Sequence, residues 1–188
     1  MKRRPSVVLA LCLAAAILGC SRQKSPYSNT GDGFFELNEG YSLLYQLMAK
    51  NQDIDTLLIV KEEEGDVYTH TAKVADVSAR VAKQLETFAR LDSRLKLDLE
   101  TLPWIEQRTR EAIEGTRTEN LLLSTGWRFE LELLLSELEG LSYASHMAAM
   151  LAESEIHEAR KAYLGVCSKE LGDLHQGTID LIASRYRP

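Results

Sequence analysis

The sequence predicts an all-α protein, an antiparallel four-helix-type bundle with short additional N-terminal helices. Apolar residues recur at spacings of three and four along most of the 188 residues, and no two strand-like segments lie near each other in the chain. Long amphipathic helices joined by short links hide their apolar stripes most simply by packing as a bundle. Residues 34–188 are therefore expected to form a single helical domain.

The first elements are expected to be short helices within residues 36–62. The first helix has an apolar stripe at helical spacing, namely Leu37, Tyr41, Leu44 and Met48. Asp53 can cap a second helix, whose apolar residues are Leu57, Leu58 and Val60. These helices are expected to cover one end or side of the bundle and to offer an apolar strip to a partner. Deleting residues 34–62 should then leave a folded bundle that no longer captures that partner.

Four longer segments are expected to supply the bundle itself. The first runs from the capping residue Asp66 to Leu91, about 39 Å as a helix. The pattern from Pro103 to Ala152 would measure about 75 Å if unbroken, so a break is predicted at 124–126, where a cap residue and a glycine occur together. The last segment covers 155–186, with an apolar stripe of Ile156, Ala159, Tyr163, Val166, Leu174, Leu181 and Ile182.

The first twenty residues have the order of a secretory signal. Basic residues 2–4 precede an apolar run at 7–17, which is too short to span a bilayer. The sequence Ile17-Leu18-Gly19-Cys20 then resembles the lipobox of bacterial lipoproteins. The resemblance implies that 1–19 is a cleaved signal peptide and that Cys20 becomes a lipidated, acylated N-terminus carrying palmitate-type chains.

Residues 20–33 are expected to be the lipidated cysteine and a flexible tether, because the segment is polar and has no apolar period. By the estimate for flexible linkers, the ends of such a tether lie about 20 Å apart. By analogy with the sorting of bacterial lipoproteins, Ser21 rather than aspartate after the cysteine favours the outer membrane. The domain would then face the periplasm.

The net charge and the cysteine content exclude further classes of function. A net charge of −6 argues against nucleic acid and against a polybasic contact with anionic lipid, so the lipid would have to provide the anchor. Cys12 would leave with the signal peptide, and Cys167 would be the one free thiol of the mature chain. Its apolar helical surroundings predict that it is buried and inert.

A bundle of this length resembles the ferritin-like di-iron proteins in general shape. The metal sites of those proteins use Glu-x-x-His pairs, because residues three apart on a helix point at one metal. None of the four histidines, His70, His146, His157 and His175, has a glutamate three residues before it. The resemblance therefore lacks its specific motif.

One weaker metal pattern is an alternative. Glu132, Glu139, His146 and Glu153 recur at intervals of seven and could bind iron, manganese or zinc if a facing helix supplied more ligands. Seven residues of helix rise about 10 Å, too far for neighbours to share one ion. A solvated charged face, opposite a leucine stripe, is the simpler interpretation.

The sequence contains neither a Gly-x-Ser-x-Gly elbow nor a glycine-rich phosphate loop, so no catalytic or cofactor-binding residue is predicted. The aromatic residues Trp104, Trp127, Phe129 and Tyr143 are expected to be core rather than ligand contacts. The sequence therefore predicts a lipid-anchored binding or interaction module of the bacterial cell envelope, not an enzyme. It would contact an envelope protein or a second copy, or hold a small apolar ligand between its helices. The alternatives are a divergent ferritin-like metal-binding protein and a purely structural spacer at the membrane.

Overall fold

The computed structural model describes residues 31–54, 65–100 and 102–186. Within those ranges the chain forms five α-helices and no strand, which confirms the predicted all-α fold. The helices are α1 (Gly31–Asn51), α2 (Asp66–Leu91), α3 (Trp104–Leu123), α4 (Trp127–Ser154) and α5 (Glu158–Arg185). The predicted signal peptide, Cys20 and most of the second short helix lie outside the described residues.

Four of the helices form the bundle, in the spatial order α1, α2, α5, α4, and each runs antiparallel to its neighbours. In the α1–α4 pair, Gly40 lies against Leu151 while Gly140 lies near Leu47, so the two helices run in opposite directions. In the α2–α5 pair, His70 early in α2 bonds Thr178 late in α5, whereas Phe88 late in α2 meets the ring of Tyr163 early in α5. Helix α3 lies outside this ring, against α4.

The peripheral helix of the structure is not the one that the sequence predicts. Helix α1 has 21 residues, and its predicted stripe is buried throughout: Leu37, Tyr41, Leu44 and Met48. Helix α3 buries only Leu121. The α1 part of the strip that the sequence predicts to meet a partner is therefore core, and deleting residues 34–62 would remove one wall of the bundle instead of leaving it folded.

The membership of α1 in the core can be tested at two methionines. Met48 is fully buried, whereas Met150 on α4 is 56% exposed. We expect Met48→Ala to lower the free energy of unfolding by about 2–5 kcal/mol, because it removes buried methylenes and leaves a cavity. Met150→Ala, the matched control, should change it by less than about 0.5 kcal/mol. Equal effects in urea denaturation would contradict this placement of α1.

The predicted break between the two middle helices is confirmed at Gly126. This residue has a φ of 56°, in the left-handed region that favours glycine, and α4 begins at the next residue. Because the turn reverses the chain, α3 runs antiparallel to α4 and therefore parallel to α1. The C-terminal end of α3 thus lies at the end of the bundle opposite the start of α1, which we call the distal end; the end where α1 begins is the proximal end.

Candidate functional site

The four residues of the metal alternative all lie on α4, and three of their side chains have other partners. Glu132 pairs with Arg128 at 3.1 Å, and Glu139 pairs with Arg117 of α3. Nδ1 of His146 donates a hydrogen bond to the carbonyl of its own helix four residues earlier, at 2.8 Å.

Glu153, the fourth residue, is exposed near the end of α4. Among the residues that the structure describes, no three His, Cys, Asp or Glu side chains are placed to hold a metal ion. The seven-residue spacing therefore produces a charged helix surface and not a metal centre in this part of the chain.

Cys167 is buried on α5, as predicted, with only 2% of its surface exposed. Burial raises the pKa of its thiol to about 12, and the nearby carboxylate of Glu170 adds to the shift. The thiol is therefore protonated at neutral pH and does not act as a nucleophile.

The aromatic residues of the middle helices do not share one environment. Phe129 is fully buried, as predicted. The core prediction is wrong for the other three, since Trp104 is 73% exposed, Trp127 67% and Tyr143 42%. Trp104 is exposed because it begins α3, which lies outside the bundle. Tyr143 lies on the outer side of α4, where its ring meets the guanidinium of Arg110 of α3.

A compact apolar surface lies where α3 ends and α4 begins. Leu122, Leu123 and Trp127 are 55%, 76% and 67% exposed, and we call these three residues the distal patch. They are close in the chain across the turn at Gly126, and they sit at the distal end of the bundle. Large exposed apolar side chains grouped in this way are typical of surfaces that contact other molecules.

A shallow, open groove of about 590 Å³ runs along one face of α3 and ends at Leu122 and Leu123 of the distal patch. Its lining residues are Glu111, Glu114, Gly115, Thr118, Glu119, Leu122 and Leu123. The three glutamates make the lining of the groove acidic, although Glu114 is paired with Lys50 and Glu111 with Arg108. The chemistry of this surface fits an apolar segment flanked by basic residues.

Sequence reasoning missed a polar cluster inside the bundle. Glu137 of α4 is fully buried, and its carboxylate lies 3.8 Å from Nε2 of His70 on α2. That same nitrogen is hydrogen-bonded to the hydroxyl of Thr178 on α5, at 2.8 Å. Neither oxygen of Glu137 accepts a hydrogen bond of good geometry from the described residues, and the same holds for the hydroxyl of Thr71. Three helices thus meet at a carboxyl group with no counter-charge in contact.

The protonation of this cluster follows from its burial. Burial raises the pKa of Glu137 to about 7, and the Thr71 hydroxyl offsets only part of that rise. Burial, together with the positive charge of Lys73, lowers the pKa of His70. At neutral pH the histidine is therefore uncharged and the carboxyl is about half protonated, so the two side chains do not form a stable ion pair.

A second buried polar group closes the proximal end of the bundle. Glu155, just after α4, accepts hydrogen bonds from Tyr41 Oη at 2.6 Å, from Arg160 Nε at 2.9 Å and from the backbone of His157 at 2.8 Å. Arg160 also reaches Asp92 at 3.0 Å. These bonds tie α1, α4, α5 and the end of α2 together.

The hydrogen bonds set the charges in this group. Burial opposes ionisation of Glu155, but the donors outweigh it and the pKa of that carboxyl is lowered. Hydrogen bonds from Arg94 and Arg160 hold the pKa of Asp92 well below its usual range. Every charged side chain of this group has a partner, so the group stabilises the packing of the helices at the proximal end.

None of the helices in the described ranges combines the length and the hydropathy needed to cross a bilayer. No protein-family model matches the sequence, and comparisons with characterised proteins and with solved structures found no match either.

Proposed function

We propose that this protein is a lipid-anchored binding module of a bacterial cell envelope that engages a partner protein through its distal patch. The lipid on Cys20 would hold the chain to the outer membrane, with the helical domain in the periplasm. The partner would be another envelope protein or a second copy of the chain. No catalytic step and no cofactor form part of this proposal.

The observation that carries the proposal is the exposure of the distal patch. An indole and two leucines are exposed to water beside an open groove, whereas their neighbours Leu121 and Phe129 on the same helices are buried. Tryptophan is among the residue types that most often dominate the energy of protein interfaces. Helix α3 contributes one buried residue to the fold, so a contact made through its exposed side would account for the rest of its apolar content.

The position of the patch also suits an anchored protein. Helix α5 has 28 residues and spans about 42 Å, so the distal patch is held about that far from the proximal end, where the predicted tether joins the fold. A partner in the periplasm would therefore reach the patch without competing with the membrane.

The proposal can be tested by photo-cross-linking in the envelope of the source bacterium. A photoreactive amino acid at Leu123 should give a discrete adduct after irradiation of intact cells. The same amino acid at Lys169, whose side chain is 78% exposed on α5, is the matched control and should give none. An adduct with twice the mass of the chain would identify a second copy as the partner.

A patch variant makes the test specific. With the photoreactive residue at Trp127, Leu123→Glu should abolish the adduct, because it puts a charge into the apolar contact. The melting temperature should stay unchanged, since the Leu123 side chain is exposed. Equal adducts from positions 123 and 169, or no adduct from 123 and 127, would contradict the proposed interface.

A further inference from the structure

The proximal end of the bundle carries a second set of exposed apolar side chains. Its members are contributed by α1, α2, α3, α4 and the link into α5, and each is at least 49% exposed. They are Phe35, Leu91, Trp104, Ile105, Met150 and Ile156, and we call them the proximal ring.

Contacts beneath the ring place its members at one end. Asp92, next to Leu91, is bonded to Arg160 at the start of α5, two turns or less from Ile156. The guanidinium of Arg94 lies 4.9 Å from the centre of the Phe34 ring, next to Phe35. The end of α2, the start of α5 and the start of α1 therefore adjoin one another.

The start of α3 and the end of α4 join the same end. Helix α3 runs antiparallel to α4, with Arg117 paired with Glu139 and Arg110 bonded to Tyr143, so the same register places the first turn of α3 level with the last turns of α4. That first turn carries Trp104 and Ile105. Leu151, which follows Met150, packs against Gly40 of α1. Apolar groups from five places in the chain thus surround one end of the bundle.

We propose that the proximal ring rests on the surface of the lipid bilayer that holds the Cys20 anchor, so that the bundle stands end-on with its distal patch directed away. This inference rests on the proposed lipid anchor. The argument for a lipid surface comes from where the chain enters the fold. Helix α1 begins at Gly31, at the ringed end, and the eleven residue steps from Cys20 can extend to at most about 40 Å.

The tether makes even a weak surface contact effective. An anchored chain holds the ring at a high effective concentration next to the headgroups, so that a modest apolar contact suffices. Tryptophan favours the boundary between headgroups and acyl chains, because its ring is apolar and its N–H is polar. The net charge of −6 gives no general attraction to anionic lipid, so the contact should be apolar and insensitive to salt.

The two tryptophans of the chain provide the test, since Trp104 lies in the proximal ring and Trp127 in the distal patch. The full chain is expressed with its own leader, extracted from bacterial membranes and reconstituted into phosphatidylcholine vesicles. Trp127→Phe leaves Trp104 as the only emitter, and Trp104→Phe leaves Trp127 as the matched control. Vesicles containing lipid with brominated acyl chains should quench Trp104 several-fold more strongly than Trp127.

A surface variant checks that the ring causes the contact. In the Trp127→Phe chain, Ile105→Glu combined with Ile156→Glu should reduce the quenching of Trp104 while helical circular dichroism is unchanged, since both side chains are exposed. Equal quenching of the two tryptophans, stronger quenching of Trp127, or no quenching would overturn the end-on orientation. If Trp104 is not quenched, the proximal ring does not contact the bilayer and would be free to contact a protein.

Failure of the anchor and failure of the orientation give different results. Flotation of the chain with the vesicles reports on lipidation alone. A chain that does not float can be coupled to a maleimide lipid through Cys20 or Cys12, both of which precede Gly31, whereas Cys167 is buried. The quenching comparison then tests the proximal ring without the natural lipid.

Discussion

Replacing Arg160 by alanine is expected to lower the free energy of unfolding by about 3–5 kcal/mol, because it leaves the buried carboxylate of Glu155 without its cation. Arg160 is 6% exposed and Glu155 2% exposed, so water cannot replace the lost hydrogen bonds. The loss should appear in urea denaturation at neutral pH, and it should be accompanied by loosening of the proximal end in hydrogen exchange.

The matched control is Arg80→Ala, which removes a cation from the surface of α2. Arg80 bonds Asp76 and Glu170, but its side chain is 54% exposed, and its loss should cost less than about 1 kcal/mol. Adding Glu155→Gln to Arg160→Ala should recover part of the loss by removing the unpaired charge. Equal losses in the free energy of unfolding from the two arginine variants would contradict the stabilising role of the bonds among Glu155, Arg160 and Asp92.

Replacing Glu137 by methionine is expected to stabilise the protein, by an amount that grows with pH. The folded pKa of about 7 is above the ordinary 4.5 of a glutamate, so the folded state holds the proton more tightly than the unfolded state. The stability that this carboxyl contributes is present below about pH 4.5 and is lost as the pH rises through about 7. Methionine, of similar length and without charge, should therefore gain about 3 kcal/mol more at pH 8.5 than at pH 4.5.

The contribution of His70, beside Glu137, to the free energy of unfolding depends on pH in the opposite direction. The pKa of His70 is lowered in the fold, so its contribution is present above about 6.5 and is lost as the pH falls through its folded value. Because both proteins retain His70, the burial of the imidazole cancels between them, and the difference reports the carboxyl together with its coupling to the imidazole 3.8 Å away. Glu139→Met, on the same helix but at a side chain that is 67% exposed, is the matched control and should change the free energy of unfolding by less than about 1 kcal/mol. A gain at Glu137 that is constant with pH would contradict the raised pKa.

The apolar stripe of α1 was predictable, and its role was not. Leu37, Tyr41, Leu44 and Met48 were identified from spacing alone, and all four are buried. Whether a helix joins the core or lies on it depends on which partners are closest in space, and periodicity within one helix carries no such information. The exposure of the aromatic residues near α3 was misjudged for the same reason.

The apolar spacing predicts the wrong buried face for the first half of α5, because the buried face includes a charged residue, Arg160. Ile156 and Val166 were assigned to the core but are 76% and 67% exposed. The buried positions instead follow spacings of three and four from a charged residue: Arg160, Leu164, Cys167, Leu171, Leu174 and Thr178. A rule that admits only apolar side chains skips Arg160 and shifts the first half of the helix by one residue.

Glu137 was missed in the same way. It stands three residues after Leu134 and four before Leu141, which places it within the buried stripe of α4. A glutamate at that spacing is a signal that the sequence does contain, although it was assigned to no site. The sequence does not reveal which residues surround Glu137, because its neighbours His70 and Thr178 belong to helices that are distant in the chain.

The order of the helices constrains when the domain can become stable. Helices α4 and α5 share the most extensive contact and are joined by three residues, 155–157, so they can pair as soon as both exist. Helices α1 and α2, in contrast, find their other partners only in those last two helices. A chain that emerges N-terminus first therefore cannot complete its core until the final 28-residue helix has arrived. Until then, the apolar faces of α1 and α2 that the last two helices cover in the fold remain exposed to water.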